Sequence, residues 1–284
     1  MGTTPQTAMR TGMRVIISGA STGIGKAMAI QLSKEYKAKV IMNARGEDDL
    51  QKAAEEVKKA GGEAKCVVGD VSDESVSTEM IKQCNSEFGG IDALVNNAGL
   101  ARSGPMTGLS LNDWRYVFEV NFFAALNLTY KALPNFLDQG FGKVVNIASV
   151  AGKVSFPGSV CYASSKFALT GFSEGMAAEF AGKFDTITVC PGWVRTEFFK
   201  RNNTAEDPSA IAERNDLKGW LMKNMLSISS EQASDDTIKA MRRGGSHELV
   251  LTAPGIIVER MSGFFPDLTM YLTSLVPAER KARK

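Results

Sequence analysis

Tyr162 and Lys166 stand four residues apart in Tyr-Ala-Ser-Ser-Lys, in a chain whose single histidine is His247. On a helix, positions i and i+4 share one face. A free tyrosine titrates near about 10, and a nearby ammonium favours the phenolate and lowers that value. Such a pair can give or take a proton near neutral pH, which is general acid–base chemistry without an imidazole. A third group is needed to hold a substrate oxygen. The run Lys-Val-Val-Asn-Ile-Ala-Ser delivers Ser149 at its C-terminal end, where open α/β sheets place their sites. Singly these residues are ordinary: a Tyr-x-x-x-Lys pair is usually surface, and a lone serine usually caps a turn. Their order after a glycine-rich loop makes the combination specific.

That loop is Ser-Gly-Ala-Ser-Thr-Gly-Ile-Gly at 18–25, directly after an apolar run and before a helical pattern. Gly19 permits a tight turn, Gly23 lets backbone approach a pyrophosphate, and Gly25 lets the helix sit close to the sheet. The free N–H groups of the helix start then face the phosphates. Ser21, Thr22 and Ile24 complete the loop as candidate contacts. The next apolar run ends Asn43-Ala44-Arg45, with no carboxylate to bond a ribose 2′-hydroxyl. A guanidinium binds a 2′-phosphate with two donors where a carboxylate would repel it, so NADP(H) is expected over NAD(H).

The elements that must position these residues alternate along the chain. Strands are predicted at 13–18, 38–43, 63–70, 91–99, 142–149, 184–192 and 247–252, with helical patterns between them. Paired glycines at 61–62 and 89–90 close two of the helices. Strands apolar on both faces and separated by helices mean βαβ units and a parallel sheet covered on both sides. The fold class is therefore α/β: a Rossmann-type, doubly wound parallel sheet of seven strands in three layers, as one domain over 13–253. Residues 1–12 are expected to be a disordered N-terminal tail, and 254–284 a hydrophobic-then-basic C-terminal tail.

Composition excludes several classes. A net charge of +2 leaves no electrostatic footprint for nucleic acid. The cysteines Cys66, Cys84, Cys161 and Cys190 form no C-x-x-C pair, so neither disulfides nor a metal site is expected. The N-terminus lacks a signal-peptide core, and no apolar run reaches about 18 residues. A cytoplasmic protein is predicted, with membrane-surface association as an alternative carried by the tail.

With these residues in place, the chain from about 13 to 252 resembles the short-chain dehydrogenase/reductase family in its single-domain form. The loop fits G-x-x-x-G-x-G at 19–25, and Asp70-Val71 looks like the adenine contact. Asn96-Asn97-Ala98-Gly99 follows the fourth strand, Asn121 sits in Glu-Val-Asn-Phe-Phe, and Ser149, Tyr162 and Lys166 match the catalytic set. Pro191-Gly192-Trp193-Val194-Arg195-Thr196 looks like the stretch that meets the nicotinamide end. Ser18 departs from the more usual threonine, a hydroxyl that supports the fold. The resemblance implies that Ser149 bonds the substrate oxygen and Tyr162 transfers the proton. It implies that Lys166 lowers the tyrosine's pKa and binds the nicotinamide ribose. Asn121 would hold a water joining Lys166 to solvent. Asn97, Ala98, Gly99, Pro191, Gly192, Val194 and Thr196 would contact the cofactor. A homodimer or homotetramer is implied as well.

The stretch 193–230 is too long for an ordinary connection and is expected to be a substrate lid. It carries Trp193, Phe198, Phe199, Trp220, Leu221, Met222, Met225 and Leu226, which suggest a small apolar carbonyl or alcohol substrate: steroid, lipid-derived or aromatic. The other reading is that they pack against the sheet. The tail's Met261, Phe264, Phe265, Leu268, Leu272 and Leu275 precede Arg280, Lys281, Arg283 and Lys284. A dimer contact or a cover for the substrate cleft is preferred for it over a peripheral membrane contact. The rival to an oxidoreductase is a non-catalytic dinucleotide-binding sensor or scaffold on the same fold. A dehydratase or epimerase is a third reading, against which the apolar lid argues.

Overall fold

Side chains that alternate along a strand serve two cores when both faces are covered. In β1 (Arg14–Ser18), Val15 and Ile17 point to one side of the sheet and Ile16 to the other, all fully buried. The computed structural model describes residues 9–198, 202, 208–214 and 216–276. β1 is joined by β2 (Lys39–Ala44), β3 (Glu63–Val68), β4 (Ala93–Asn96), β5 (Lys143–Ile147) and β6 (Asp185–Cys190). Two short strands, β7 (Trp193–Arg195) and β8 (Ser227–Ser229), precede the last one, β9 (His247–Val250). Seven of them form one parallel sheet, as expected from sequence, and its strand order is β3-β2-β1-β4-β5-β6-β9.

Helices cover both faces. Met28 and Leu32 of α1 (Gly23–Tyr36) and Leu50 and Val57 of α2 (Glu47–Lys59) fill one core. The other core takes Met80 of α3 (Glu74–Phe88), Val117 of α4 (Leu111–Phe118), Leu128 and Phe136 of α5 (Ala124–Gln139), and Met176 of α6 (Val160–Glu179). Gly89 ends α3 in the left-handed region at φ 78°, where a Cβ would be strained. The chain winds outward from β1 to β3 and then returns to β4 on the far side of β1. The crevice at that reversal, beyond the carboxyl ends of the strands, is the usual place for a ligand in such a sheet.

The stretch expected to be a lid has regular structure of its own. β7 and β8 pair in parallel at its base. Between them lie α7 (Pro208–Ala212), α8 (Leu217–Leu221) and a π-turn over Met222–Leu226. Arg195 Nη1 fastens this unit by donating to Ser227 Oγ at 2.8 Å and to the Lys223 carbonyl at 3.2 Å. After it, α9 (Ser230–Arg243) packs Ile238 and Met241 into the α1 side of the sheet. The tail forms two helices, α10 (Ala253–Phe264) and α11 (Pro266–Ser274), with Pro266 opening the second. No helix among the described residues is long and apolar enough to cross a membrane. The basic end of the tail, Phe199 and residues 1–8 lie outside the described residues. Residues 9–12, grouped from sequence with a disordered tail, pack on the domain: Arg10 pairs with Asp92 at 2.7 Å and the Gly12 N–H donates to the Tyr36 carbonyl at 2.6 Å.

One hydroxyl ties the glycine loop to the neighbouring strand end. Ser18 Oγ accepts the backbone N–H groups of Asn97 and Ala98, each at 3.1 Å. Removing it strands two donors at the sheet's centre. Ser18→Ala is expected to lower stability by about 1–3 kcal/mol, read as a lower midpoint in urea unfolding; an unchanged midpoint would contradict this clamp.

Candidate active site

A cleft of about 1040 Å³ opens along the carboxyl ends of the strands. Its floor at one end is the glycine loop. Gly19 has φ +66°, and a Cβ there would stand 2.8 Å from the Ala98 Cα, so only glycine passes. Gly23 has φ +59° and faces Thr196 across the cleft. A Cβ on Gly25 would overlap the Asn97 side chain, so this glycine sets how closely α1 approaches β4. Ser21, Thr22, Gly23 and Ile24 line the cleft, while Gly25 is buried beneath it. Thr22 at the start of α1 makes no side-chain cap bond, and the first turn holds no acid. The N-terminus of this helix therefore keeps backbone donors and a favourable dipole for phosphate.

Asn97, Ala98 and Gly99 form the adjacent wall. The Asn97 amide is occupied inside the protein, donating to the carbonyls of Ser18 at 3.0 Å and Gly19 at 2.8 Å. It shapes the loop from behind. Further along, Arg45, Asp70 and Val71 line the cleft as expected, joined by Tyr116 from α4. Asp70 accepts from Ser72 N at 3.0 Å and Ser72 Oγ at 2.7 Å, and from Tyr116 Oη at 2.9 Å. Burial pushes the Asp70 carboxyl up, but these bonds and the neighbouring guanidinium outweigh it and leave the group below its ordinary value. Sequence reasoning missed Tyr116; its signal was a single tyrosine in an amphipathic helix, with no way to see where the helix pointed.

At the other end, Ser149, Tyr162 and Lys166 line the same wall. Ser149 lies two residues beyond β5 and accepts the Ala151 N–H at 3.1 Å, capping the short 3₁₀ turn Val150–Gly152. It thus does both things read for it, a cap and a cleft hydroxyl. Lys166 is 3% exposed; its Nζ donates to the Ile147 carbonyl at 2.8 Å and lies 5.9 Å from the Tyr162 ring centre. Burial pushes the Tyr162 phenol up to about 12, with a hydrogen bond to Ser149 pulling the other way. Burial pushes Lys166 down to about 8. The Tyr162 value therefore stands above its ordinary one, not below it as the pairing with Lys166 led one to expect, and burial is the first cause. Removing water penalises phenolate and ammonium alike, so burial moves the two values in opposite directions. At neutral pH the phenol carries its proton and the lysine its charge. Cys190 lies close by, and burial holds its thiol neutral at about 12.

Asn121 stands behind this wall. It is 1% exposed, in a π-turn over Glu119–Phe123 that joins α4 to α5, the kind of local rewinding found at functional sites. Its Oδ1 accepts the Leu100 N–H at 2.8 Å, and its Nδ2 donates to the Leu100 carbonyl and to Ser165 Oγ, both at 2.9 Å. Ser165 Oγ in turn donates to the Tyr162 carbonyl at 2.7 Å. Asn121 therefore fixes the loop after β4 against the helix that carries Tyr162. A Cβ on Gly99 would meet Asn121 Oδ1 at 3.3 Å and Lys166 Nζ at 3.5 Å, so the glycine keeps that corner open.

Pro191, Gly192, Val194 and Thr196 also line the cleft. The predicted lid residues divide. Trp193, Phe198 and Leu226 line the cleft, joined by Phe156, Val258 and Val276. Leu221, Met222, Trp220 and Met225 do not: Met222 is buried within the lid, and Trp220 and Met225 face outward. The π-turn rotates the methionines away from the cavity, so they supply no adaptable lining. Among the described residues no cluster of His, Cys, Asp and Glu could hold a metal ion.

The cradle fits a dinucleotide: a side-chain-free turn at Gly19 and Gly23, helix donors unspent on a cap, and a cleft reaching from Arg45 to Tyr162. Comparison with known proteins agrees. Residues 13–207 match the family described as short chain dehydrogenase. The ketoacyl reductase HetN of Nostoc sp. is 37% identical over 185 residues, 65% of this chain and 64% of that protein. The 3-oxoacyl-[acyl-carrier-protein] reductase FabG of Vibrio cholerae is 32% identical over 203 residues, 71% of this chain and 82% of that protein. A crystal structure of a short-chain type dehydrogenase/reductase from Mycobacterium marinum superimposes with a TM-score of 0.75 at 27% identity, covering 88% of this chain and 97% of that one. The chain thus belongs to the short-chain dehydrogenase/reductase family, whose members typically bind NAD(P)(H) and catalyse oxidoreduction.

Proposed function

We propose that the protein is an NADP(H)-dependent oxidoreductase acting on an apolar ketone or secondary alcohol. The observation that carries this reading is the convergence of Ser149, Tyr162 and the buried Lys166 on the lining of the glycine-loop cleft. The N-terminus of α1 and the backbone of Gly19–Gly25 would hold the pyrophosphate, Asp70 and Val71 the adenine, and Arg45 a 2′-phosphate. Lys166, with Gly99, Pro191, Gly192, Val194 and Thr196, would hold the nicotinamide end. When bound, the cofactor supplies or takes the hydride. Ser149 holds the substrate oxygen and Tyr162 gives it the proton. A phenol pushed up to about 12 stands in its protonated form at neutral pH, the form that can donate to a carbonyl oxygen.

Trp193, Phe156, Phe198, Leu226, Val258 and Val276 give the substrate end an apolar character. Steroid, aromatic and lipid-derived carbonyls suit it; the names of the ketoacyl and 3-oxoacyl reductases point within that class to an acyl chain bearing a ketone. The α10–α11 hairpin covers the cleft through Val258 and Val276, while Phe264, Phe265, Met270, Tyr271 and Leu275 lie more than half exposed. That outer face is read as a subunit contact in a homodimer or homotetramer, with a peripheral membrane contact as the rival. Analytical sedimentation with and without liposomes separates the two. A non-catalytic sensor would gain nothing from burying an ammonium beside a phenol.

Two outcomes test the reading. Tyr162→Phe is expected to reduce NADPH-dependent ketone turnover by about 10²–10⁴-fold while cofactor binding by fluorescence titration stays within a few-fold; near-parental turnover would refute the proton role. In a ketone panel, kcat/KM should be at least about tenfold higher for bulky apolar ketones than for small polar ones, as about 1.4 kcal/mol of extra apolar contact provides. Preference for small polar carbonyls would overturn the substrate class.

A further inference from the structure

The arginine proposed to take a 2′-phosphate stands beside a carboxylate. Arg45 Nη1 is 3.9 Å from Asp70 Oδ2, too long for a hydrogen-bonded pair but close enough to become one by a small rotation. Such a pair would neutralise the guanidinium and turn its donors inward. A hydroxyl prevents this. Tyr116 Oη donates to Asp70 Oδ2 at 2.9 Å and accepts from Arg45 Nη1 at 3.0 Å. The other carboxylate oxygen is taken by the backbone and hydroxyl of Ser72. Both oxygens of Asp70 are thus engaged by groups other than Arg45.

The phenol also changes the kind of partner Arg45 has. A hydroxyl offers a guanidinium one uncharged acceptor, without the opposite charge and the two-bond fit of a carboxylate. An incoming phosphate can displace the former far more readily than the latter. The Arg45 side chain is 66% exposed, so it has room to turn toward the cleft. Tyr116 is fixed in place by its helix: α4 is opened by a reciprocal Ser110–Asp113 capping box, and Val117 anchors its inner face in the core.

We propose that Tyr116 is a positioning residue for cofactor choice: by standing between Asp70 and Arg45, it keeps the guanidinium available to the 2′-phosphate of NADP(H). This rests on the reading that Arg45 selects NADP(H). Without the hydroxyl, Arg45 closes onto Asp70 and the preference for the phosphorylated cofactor falls. The effect belongs to cofactor binding, because Tyr116 lies at the Arg45 end of the cleft, away from Tyr162 and Lys166.

The test is a double-mutant cycle in steady-state kinetics with NADPH and NADH, using the parent, Tyr116→Phe, Arg45→Gln and the double variant. Tyr116→Phe is expected to raise KM for NADPH about 5–20-fold, with KM for NADH within about twofold and kcat unchanged for both, the loss of one charge-assisted contact. In the Arg45→Gln background the same substitution should add little, because it acts through the arginine. Asp70→Asn placed on Tyr116→Phe should recover part of the NADPH preference by removing the competing charge. Equal losses for both cofactors, or a Tyr116→Phe loss undiminished in the Arg45→Gln background, would overturn the proposal and leave Tyr116 a structural residue. A parent without NADPH preference, or an Arg45→Gln variant that keeps it, would remove the NADP(H) reading itself and the proposal with it. Thermal melts of each variant separate these outcomes from misfolding.

Discussion

An ammonium kept out of water is the constraint around which the cleft is organised. Lys166 is almost fully buried, and its described hydrogen bond is to the carbonyl of Ile147, the last residue of β5. Burial alone favours the neutral amine, and the group is drawn down to about 8. The same exclusion of water raises the Tyr162 phenol, one helical turn away. Burial thus drives the two groups apart, the phenol up to about 12 and the ammonium down to about 8. Strong shifts of two groups lining one cleft are the pattern that marks a candidate proton-transfer site.

Holding them there requires the parallel sheet. α6 must lie against the carboxyl ends of β5 and β6 for Lys166 to reach Ile147. The loop after β4 must also stay clear of that corner. Asn121 does the second task by gripping both backbone groups of Leu100, and it contacts α6 through Ser165. The π-turn that places Asn121 there is a local departure from regular helix of the kind found at functional sites. At the opposite end, Ser18 and Asn97 hold the glycine loop to β4 by a comparable set of bonds. The two ends of the cleft are therefore braced against the same strand.

Much of this was legible in the residues. Seven β-branched runs alternating with helical patterns gave the parallel sheet, because strands buried on both faces need apolar residues at every position. The glycine loop and the Tyr162, Lys166 and Ser149 set were readable because spacing on a helix and position at a strand end translate directly into space. What was not legible depends on rotation and distance. The methionines of the lid looked like cavity lining, yet a π-turn faces Met225 outward and buries Met222 away from the cleft. The direction of the Tyr162 shift needed the burial of both partners, which i,i+4 spacing does not contain. Tyr116 was silent because its partners Arg45 and Asp70 come from two other strand ends.

The pH profile of NADPH consumption with a bulky apolar ketone tests the coupling of Tyr162 to Lys166 most directly. Lys166 is charged below its folded value of about 8 and neutral above it, whereas Tyr162 keeps its proton until about 12. Turnover should therefore be level below about pH 8 and fall as pH rises through that value, as the ammonium is lost. A rate level to pH 10, or one that rises above pH 8, would contradict a charged Lys166 working beside a protonated Tyr162.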